Sequence, residues 1–252
     1  MSESVEQEKA VLLAMMPYGH VLYPSMGLSL LKGGLAARNI GADLQYFNLD
    51  FIDRFLSGEP EERHEIYNRL GQDWVFYYAA EAIFTPVLYP QKAGEAKEAI
   101  DSLPEGAEKD QLLSLWGRGA EIIETWFEAV AWDEYKVIGF NSHFNQNMAS
   151  LALAKRIKDT HPDLTICVGG ANAEGVSGRQ MLESFPFIDY VFSGAADQTF
   201  PEFVERLIRN PLLFQAEQFP GLVWRGVNGS IEYNRATTLC DMKSVPLPDF
   251  DD

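Results

Sequence analysis

The chain opens its ordered pattern with Val11-Leu12-Leu13-Ala14-Met15-Met16, an unbroken apolar run closed by Pro17. That is the signature of a strand buried on both faces. A loop holding Tyr18, Gly19, His20 and Pro24 follows. From Ser25 to Asn39, Leu28, Leu31 and Leu35 then recur at helical spacing, with Gly41 read as the stop. Further apolar runs predict strands at Leu44–Leu49, Val137–Asn141, Leu164–Val168 and Tyr190–Phe192, and periodic segments predict helices over 146–159, 177–184 and 199–209. Strands alternating with helices imply a doubly wound α/β fold with a five-stranded parallel, Rossmann-like sheet.

Two segments break this alternation. Residues 51–134, between the second and third strands, are far longer than a simple crossover and carry Trp74, Phe76, Tyr77, Tyr78, Phe84, Tyr89, Trp116, Trp126, Phe127 and Trp132. A helical insertion is predicted there. Its aromatics would either glue it to the sheet or line a pocket. Near the end, 221–225 and 230–234 flank Gly226-Val227-Asn228-Gly229, a β-hairpin signal in which Asn-Gly is expected to supply the positive φ values. The tail over 241–252, with Pro246, Pro248 and several aspartates, reads as a linker to a further domain or a separate protein.

Composition narrows the function classes. A formal charge of −17 argues against a nucleic-acid or anionic-membrane partner, because phosphates would be repelled. The only cysteines, Cys167 and Cys240, stand in unrelated contexts, and the first ten residues lack the basic and apolar regions of a secretion signal, which together suggest a cytoplasmic protein. Neither a P-loop nor paired catalytic carboxylates nor zinc-type Cys/His spacing is present, so no catalytic residue and no metal ligand is assigned. The point of chemical interest is Ile166-Cys167-Val168-Gly169-Gly170-Ala171-Asn172, where a buried strand must turn into a helix through two glycines. In open parallel sheets ligands sit outside the carboxyl ends of the strands, and positions without a side chain let them approach the backbone. A tight turn without a ligand would use the same residues.

The ordered set MPYGHVLYPSMGLSLLKGGL, YFNLDF, GQDWVF, IGFNSHFNQNMASLALAKRIK, VGGANAEG, FPFIDYVFSGAADQTFPEFV and PLPDFDD resembles the amino-terminal part of cobalamin-dependent radical SAM enzymes. Within that family it is most similar to the C-methyltransferases that mature ribosomally synthesised peptides. The resemblance runs the length of the chain. It implies a B12-binding domain that holds cobalamin for methyl transfer from S-adenosylmethionine, with a radical SAM domain or protein and a precursor peptide as partners. S-adenosylmethionine and the 4Fe-4S cluster would belong to that other domain, since the C-x-x-x-C-x-x-C motif is absent here.

By the same resemblance Gly169 and Gly170 would flank the cofactor's nucleotide tail, and Ala171 and Asn172 beside them would also bind the cofactor. Asn141 and Ser142 would offer it hydrogen bonds, and Gly194 would begin the loop after the fifth strand. Tyr18, Gly19 and His20 would lie beneath the corrin, and Gln146, within Asn145-Gln146-Asn147, could pair with the corrin amides or cap a helix. Two departures bear on this. Tyr18 stands two residues before His20 where histidine-ligating B12 domains carry Asp, so a base-off cofactor without a protein histidine on cobalt is expected. Ser193-Gly194-Ala195-Ala196-Asp197 replaces the family's Gly-Glu-Gly-Glu, which keeps open a second reading, a non-catalytic docking or regulatory module with a degenerate B12 pocket. An ordinary nucleotide or flavin domain fits less well, because the turn from Pro17 to Gly27 has no G-x-G-x-x-G.

Overall fold

A computed structural model describes residues 9–235 and 245–251. Among these, the strands form one seven-stranded sheet of order β2-β1-β3-β4-β5-β6-β7. The strands are β1 (Lys9–Met15), β2 (Gly41–Tyr46), β3 (Val137–Asn141), β4 (Thr165–Gly169), β5 (Tyr190–Phe192), β6 (Leu222–Arg225) and β7 (Ile231–Tyr233). The first five are parallel, as the alternating pattern predicts. The hairpin β6-β7 continues the same sheet antiparallel beyond β5. Strand order reverses between β1 and β3, so the crevice at the carboxyl ends of these central strands is the expected ligand position.

Side chains of β1 alternate between two cores. Leu12 and Ala14 face one, while Val11, Leu13 and Met15 face the other. The second core is covered by α1 (Met26–Ala36) and α11 (Thr199–Arg209), through Leu28, Leu35, Phe200, Phe203 and Val204. The first is covered by α9 (Asn147–Thr160), α10 (Val176–Ser184) and the helices that separate β2 from β3. These are α2 (Phe47–Phe55), α3 (Pro60–Gln72), α4 (Tyr77–Ala82), α5 (Thr85–Leu88), α6 (Ala93–Asp101), α7 (Ala107–Leu115) and α8 (Gly119–Glu128).

The aromatics of these helices serve mainly as glue. Trp126 is buried against Phe47, Phe51, Phe55 and Phe84, with ring centroids 5.4 to 6.3 Å away, and its indole N–H donates to Asp50 at 2.9 Å. Each such aromatic pair contributes roughly 0.5–1.5 kcal/mol beyond its buried area. Trp74 and Tyr78 instead face solvent.

Three local expectations need correction. The second strand starts at Gly41 rather than Leu44, because Asn39, not Gly41, ends α1. Asn39 has φ 54°, and the amides of Asn39 and Ile40 donate to Ala36 and Leu35, which closes the helix in a Schellman motif. Phe47-Asn48-Leu49 then belongs to α2, where Phe47, Phe51 and Phe55 bury one helical face. In the hairpin turn Gly229 alone takes a positive φ (81°), with Gly229 N–H donating to Gly226 and Gly226 N–H to Ser230. This is a type I turn closed by a glycine bulge, so Asn228 does not take the positive φ expected of it.

Candidate functional site

The β4–α10 turn is built so that only glycine fits at its centre. Gly170 has φ 95° and ψ 178°, and a Cβ there would lie 2.5 Å from the Ser142 carbonyl oxygen and 2.8 Å from Asn141 Oδ1. Gly169 is different: a Cβ would meet only Phe192, at 3.7 Å, an ordinary contact. The space beside it belongs to a groove of about 410 Å³ between the sheet and α1, bounded also by the β5–α11 loop.

Gly139, Cys167 and Gly169 from alternate positions of β3 and β4 line this groove, opposite Gly27, Leu28 and Leu31 of α1. Gly194, Ala195, Ala196 and Asp197 close one side, and Asn141, His143 and Ala171 stand at the carboxyl end. Burial pushes the Cys167 thiol well above its ordinary pKa, so it stays neutral and lends the wall apolar character. His143 is also shifted, downward, because burial disfavours its charged form. Its Nδ1 faces the Ala171 N–H at 3.5 Å.

Five of the residues singled out from the sequence therefore meet at one groove: Asn141, Gly169, Gly170, Ala171 and Gly194. Ser142, Asn172 and Gln146 do not line it, and their polar groups are bonded within the protein. The Ser142 hydroxyl donates to Asn147 Oδ1 at 2.7 Å and accepts from the Asn172 amide at 3.1 Å, while Asn172 also donates to the Phe144 carbonyl. Gln146 is buried; its amide nitrogen donates to the Met16 carbonyl at 2.8 Å and its oxygen accepts from the His143 N–H at 3.0 Å. Neighbouring Asn145 donates to Leu70 of α3.

The β1–α1 turn with Tyr18, Gly19 and His20 lies apart from the groove. Tyr18 is buried at φ 69°, its hydroxyl donating to Ala80 of α4 and its ring stacked on Tyr67 of α3 at 5.8 Å. Tyr67 in turn donates to the Gly19 carbonyl at 2.8 Å, and Asn48 of α2 donates to the His20 carbonyl at 3.1 Å. A Cβ at Gly19 would come within 2.7 Å of both Gln146 and Met15. The His20 ring is exposed and borders a separate hollow of about 220 Å³ with Leu22, Tyr23 and Asn48.

Sequence reasoning did not find the far wall of the groove. Gly27, Leu28 and Leu31 of α1 line it. One signal was available: Gly139, a glycine inside a predicted central strand, marks a place where another element approaches closely. A Cβ at Gly139 would lie 2.8 Å from Leu13 Cδ2 and 3.6 Å from Phe200.

No protein-family model matches the chain, and no curated protein matches it. Among solved structures, 98% of the chain aligns with the cobalamin-dependent S-adenosylmethionine radical enzyme OxsB, solved with aqua-cobalamin and S-adenosylmethionine bound, at 14% identity and a TM-score of 0.52. The fold is shared. The radical S-adenosylmethionine methyltransferase TsrM from Kitasatospora setae, solved with cobalamin and a 4Fe-4S cluster, aligns over 96% of the chain at 11% identity and a TM-score of 0.46. The chain spans 24% of the length of OxsB and 31% of that of TsrM. Among the described residues no helix is long and apolar enough to cross a membrane.

Proposed function

We propose that this chain is a cobalamin-binding module that holds the corrinoid for methyl transfer from S-adenosylmethionine, working with a radical SAM domain or protein. The observation that carries the reading is the groove of about 410 Å³ beside Gly139 and Gly169, opening at the carboxyl end of the sheet in a fold shared with a cobalamin enzyme. Its volume lies in the range of small-molecule sites, which run from about 300 to 1,000 Å³.

The residues present suit the group. Gly169 leaves space that a ligand can use, the neutral Cys167 thiol and Leu28 supply apolar walls, and Asn141 and the backbone at Gly170 and Ala171 supply polar atoms at the rim. A bound corrinoid would supply a cobalt centre able to accept and pass on a methyl group. The share of this chain is to bind and orient it. With the nucleotide tail in the groove, the base is held away from cobalt, so base-off absorption is the expected spectrum. The cluster and S-adenosylmethionine would come from the partner. A ribosomally made peptide as methyl acceptor is the finer reading, and it rests on the order of sequence motifs.

The test is to mix the purified chain with hydroxocobalamin, desalt it and record the absorption of the protein fraction. Retained corrin with a base-off spectrum is expected. Loss of all corrin under both oxidising and reducing conditions would contradict cofactor binding by this chain. For the finer reading, co-production with the radical SAM partner and a candidate precursor peptide should add about 14 Da to the peptide, and an unmodified peptide beside active partner would count against it.

A further inference from the structure

Helix α1 carries two adjacent glycines, Gly33 and Gly34, in its interior, where each costs roughly 1 kcal/mol relative to alanine. Their surroundings explain them. A Cβ on Gly33 would lie 2.0 Å from the Leu247 carbonyl oxygen, and its other close neighbours, Leu247 C at 3.2 Å and Asp249 N at 3.4 Å, belong to the same C-terminal segment. A Cβ on Gly34 would lie 2.7 Å from Pro201 of α11, 3.3 Å from Pro246 and 3.4 Å from the Asp197 carbonyl oxygen. Residues 245–251 thus run across α1 in a notch that only glycines leave open.

Among the described residues the segment is fastened by a few groups. Asp249 N–H donates to the Ser29 carbonyl at 2.9 Å, Lys32 Nζ lies 3.6 Å from Asp249 Oδ1, and the same ammonium donates to the Asp251 carbonyl. Leu247 is 87% exposed and Phe250 46%, while Val245, Pro246 and Pro248 are only half-buried, so no residue of the segment is fully buried. Elements with few buried apolar contacts open at low free-energy cost. Other positions of α1, Gly27, Leu28 and Leu31, form a wall of the groove, as does Asp197, whose carbonyl borders Gly34.

We propose that residues 245–251 act as a strap: seated on Gly33 and Gly34, it clamps α1 and the β5–α11 loop at the spacing that shapes the groove, and lifting it loosens the groove. Tension or displacement at the strap is thereby coupled to ligand affinity. Only the affinity half of this idea rests on the cobalamin reading.

The test uses the full chain with Gly33→Leu. The three atoms nearest its Cβ all belong to the strap, and leucine raises helix propensity, so the fold should persist, and Gly33→Ala, which also intrudes on the Leu247 carbonyl, is the milder companion. Hydrogen exchange read by mass spectrometry should show the strap amides, Asp249 included, exchanging at least tenfold faster, and peptides covering 26–32 should lose protection as well. Affinity for hydroxocobalamin should fall about tenfold, and Lys32→Met should give a smaller change in the same direction. A released strap with unchanged exchange over 26–32 would overturn the proposal, as would strap amides that already exchange like free peptide in the wild type. Should the wild type bind no cobalamin, the exchange comparison decides alone, which separates failure of the strap from failure of the cofactor reading.

Discussion

Two βα turns at the carboxyl edge of one sheet have been solved in opposite ways. The turn after β1 is filled and tied: Tyr18 is buried, and Tyr67, Asn48 and Gln146 each hold one of its carbonyls from outside. The turn after β4 is spare. It spends its glycines on a close backbone approach at Gly170 and on open space at Gly169. The difference teaches that the helices between β2 and β3 stabilise one turn, which borders a hollow of about 220 Å³, whereas the other is kept small beside a groove of about 410 Å³.

The largest effect should come from untying the first turn. Tyr67→Ala removes a buried ring and the hydroxyl that holds Gly19, and should cost about 3–5 kcal/mol, lowering the melting temperature by roughly 10 °C. A loss under 1 kcal/mol would mean that the turn is not held from the insertion. Next is the second turn itself. Gly170→Ala forces a side chain into a glycine-only conformation and against the Ser142 carbonyl, at about 1–3 kcal/mol by chemical denaturation; an unchanged midpoint would refute the strain assigned there.

A smaller, pH-dependent effect is expected at Glu81, which accepts the Met148 N–H at the start of α9 at 3.0 Å. Burial pushes its carboxyl up to about 7, against the backbone N–H groups of Met148 and Asn147 that act to lower it. Because the folded protein holds this proton more tightly than the unfolded chain, ionising it weakens the native state. Stability should therefore fall as pH rises from about 4.5 to 7 and stay lower above. Glu81→Gln keeps an acceptor for Met148. It should be more stable than wild type by about 1–2 kcal/mol at pH 8, a linkage value discounted for partial exposure, with the difference vanishing near pH 5. Thermal melts at the two pH values check this, and an equal difference at both would contradict it. The smallest effect belongs to the exposed imidazole: His20→Ala should change stability by less than about 0.5 kcal/mol.

Much of this molecule is legible in the sequence where local pattern decides. The runs Val137–Asn141 and Tyr190–Phe192 form strands at those bounds, and Gly169-Gly170 marks the turn beside the groove. Legibility fails where a distant segment decides. Nothing local to Gly33 and Gly34 announces that Leu247 will cross them, and nothing in Tyr18-Gly19-His20 shows that Tyr67 will hold that loop from 48 residues away. The amides of Asn145 and Gln146 look equally fit for ligand or backbone until α3 and the β1 end arrive to take them. Asn39 displaced Gly41 as the helix stop because an asparagine also accepts the left-handed conformation.

The central claim, that the groove beside Gly169 and not the β1–α1 turn is the binding determinant, is tested most directly by titrating hydroxocobalamin into the wild type, Gly169→Leu and His20→Ala under one set of conditions. A Cβ at 169 makes only an ordinary contact with Phe192, at 3.7 Å, beside the groove, so the fold of Gly169→Leu should melt within a few degrees of wild type. The account predicts that Gly169→Leu weakens binding at least tenfold while His20→Ala leaves it within twofold. Full-strength binding by Gly169→Leu, or loss confined to His20→Ala, would contradict it.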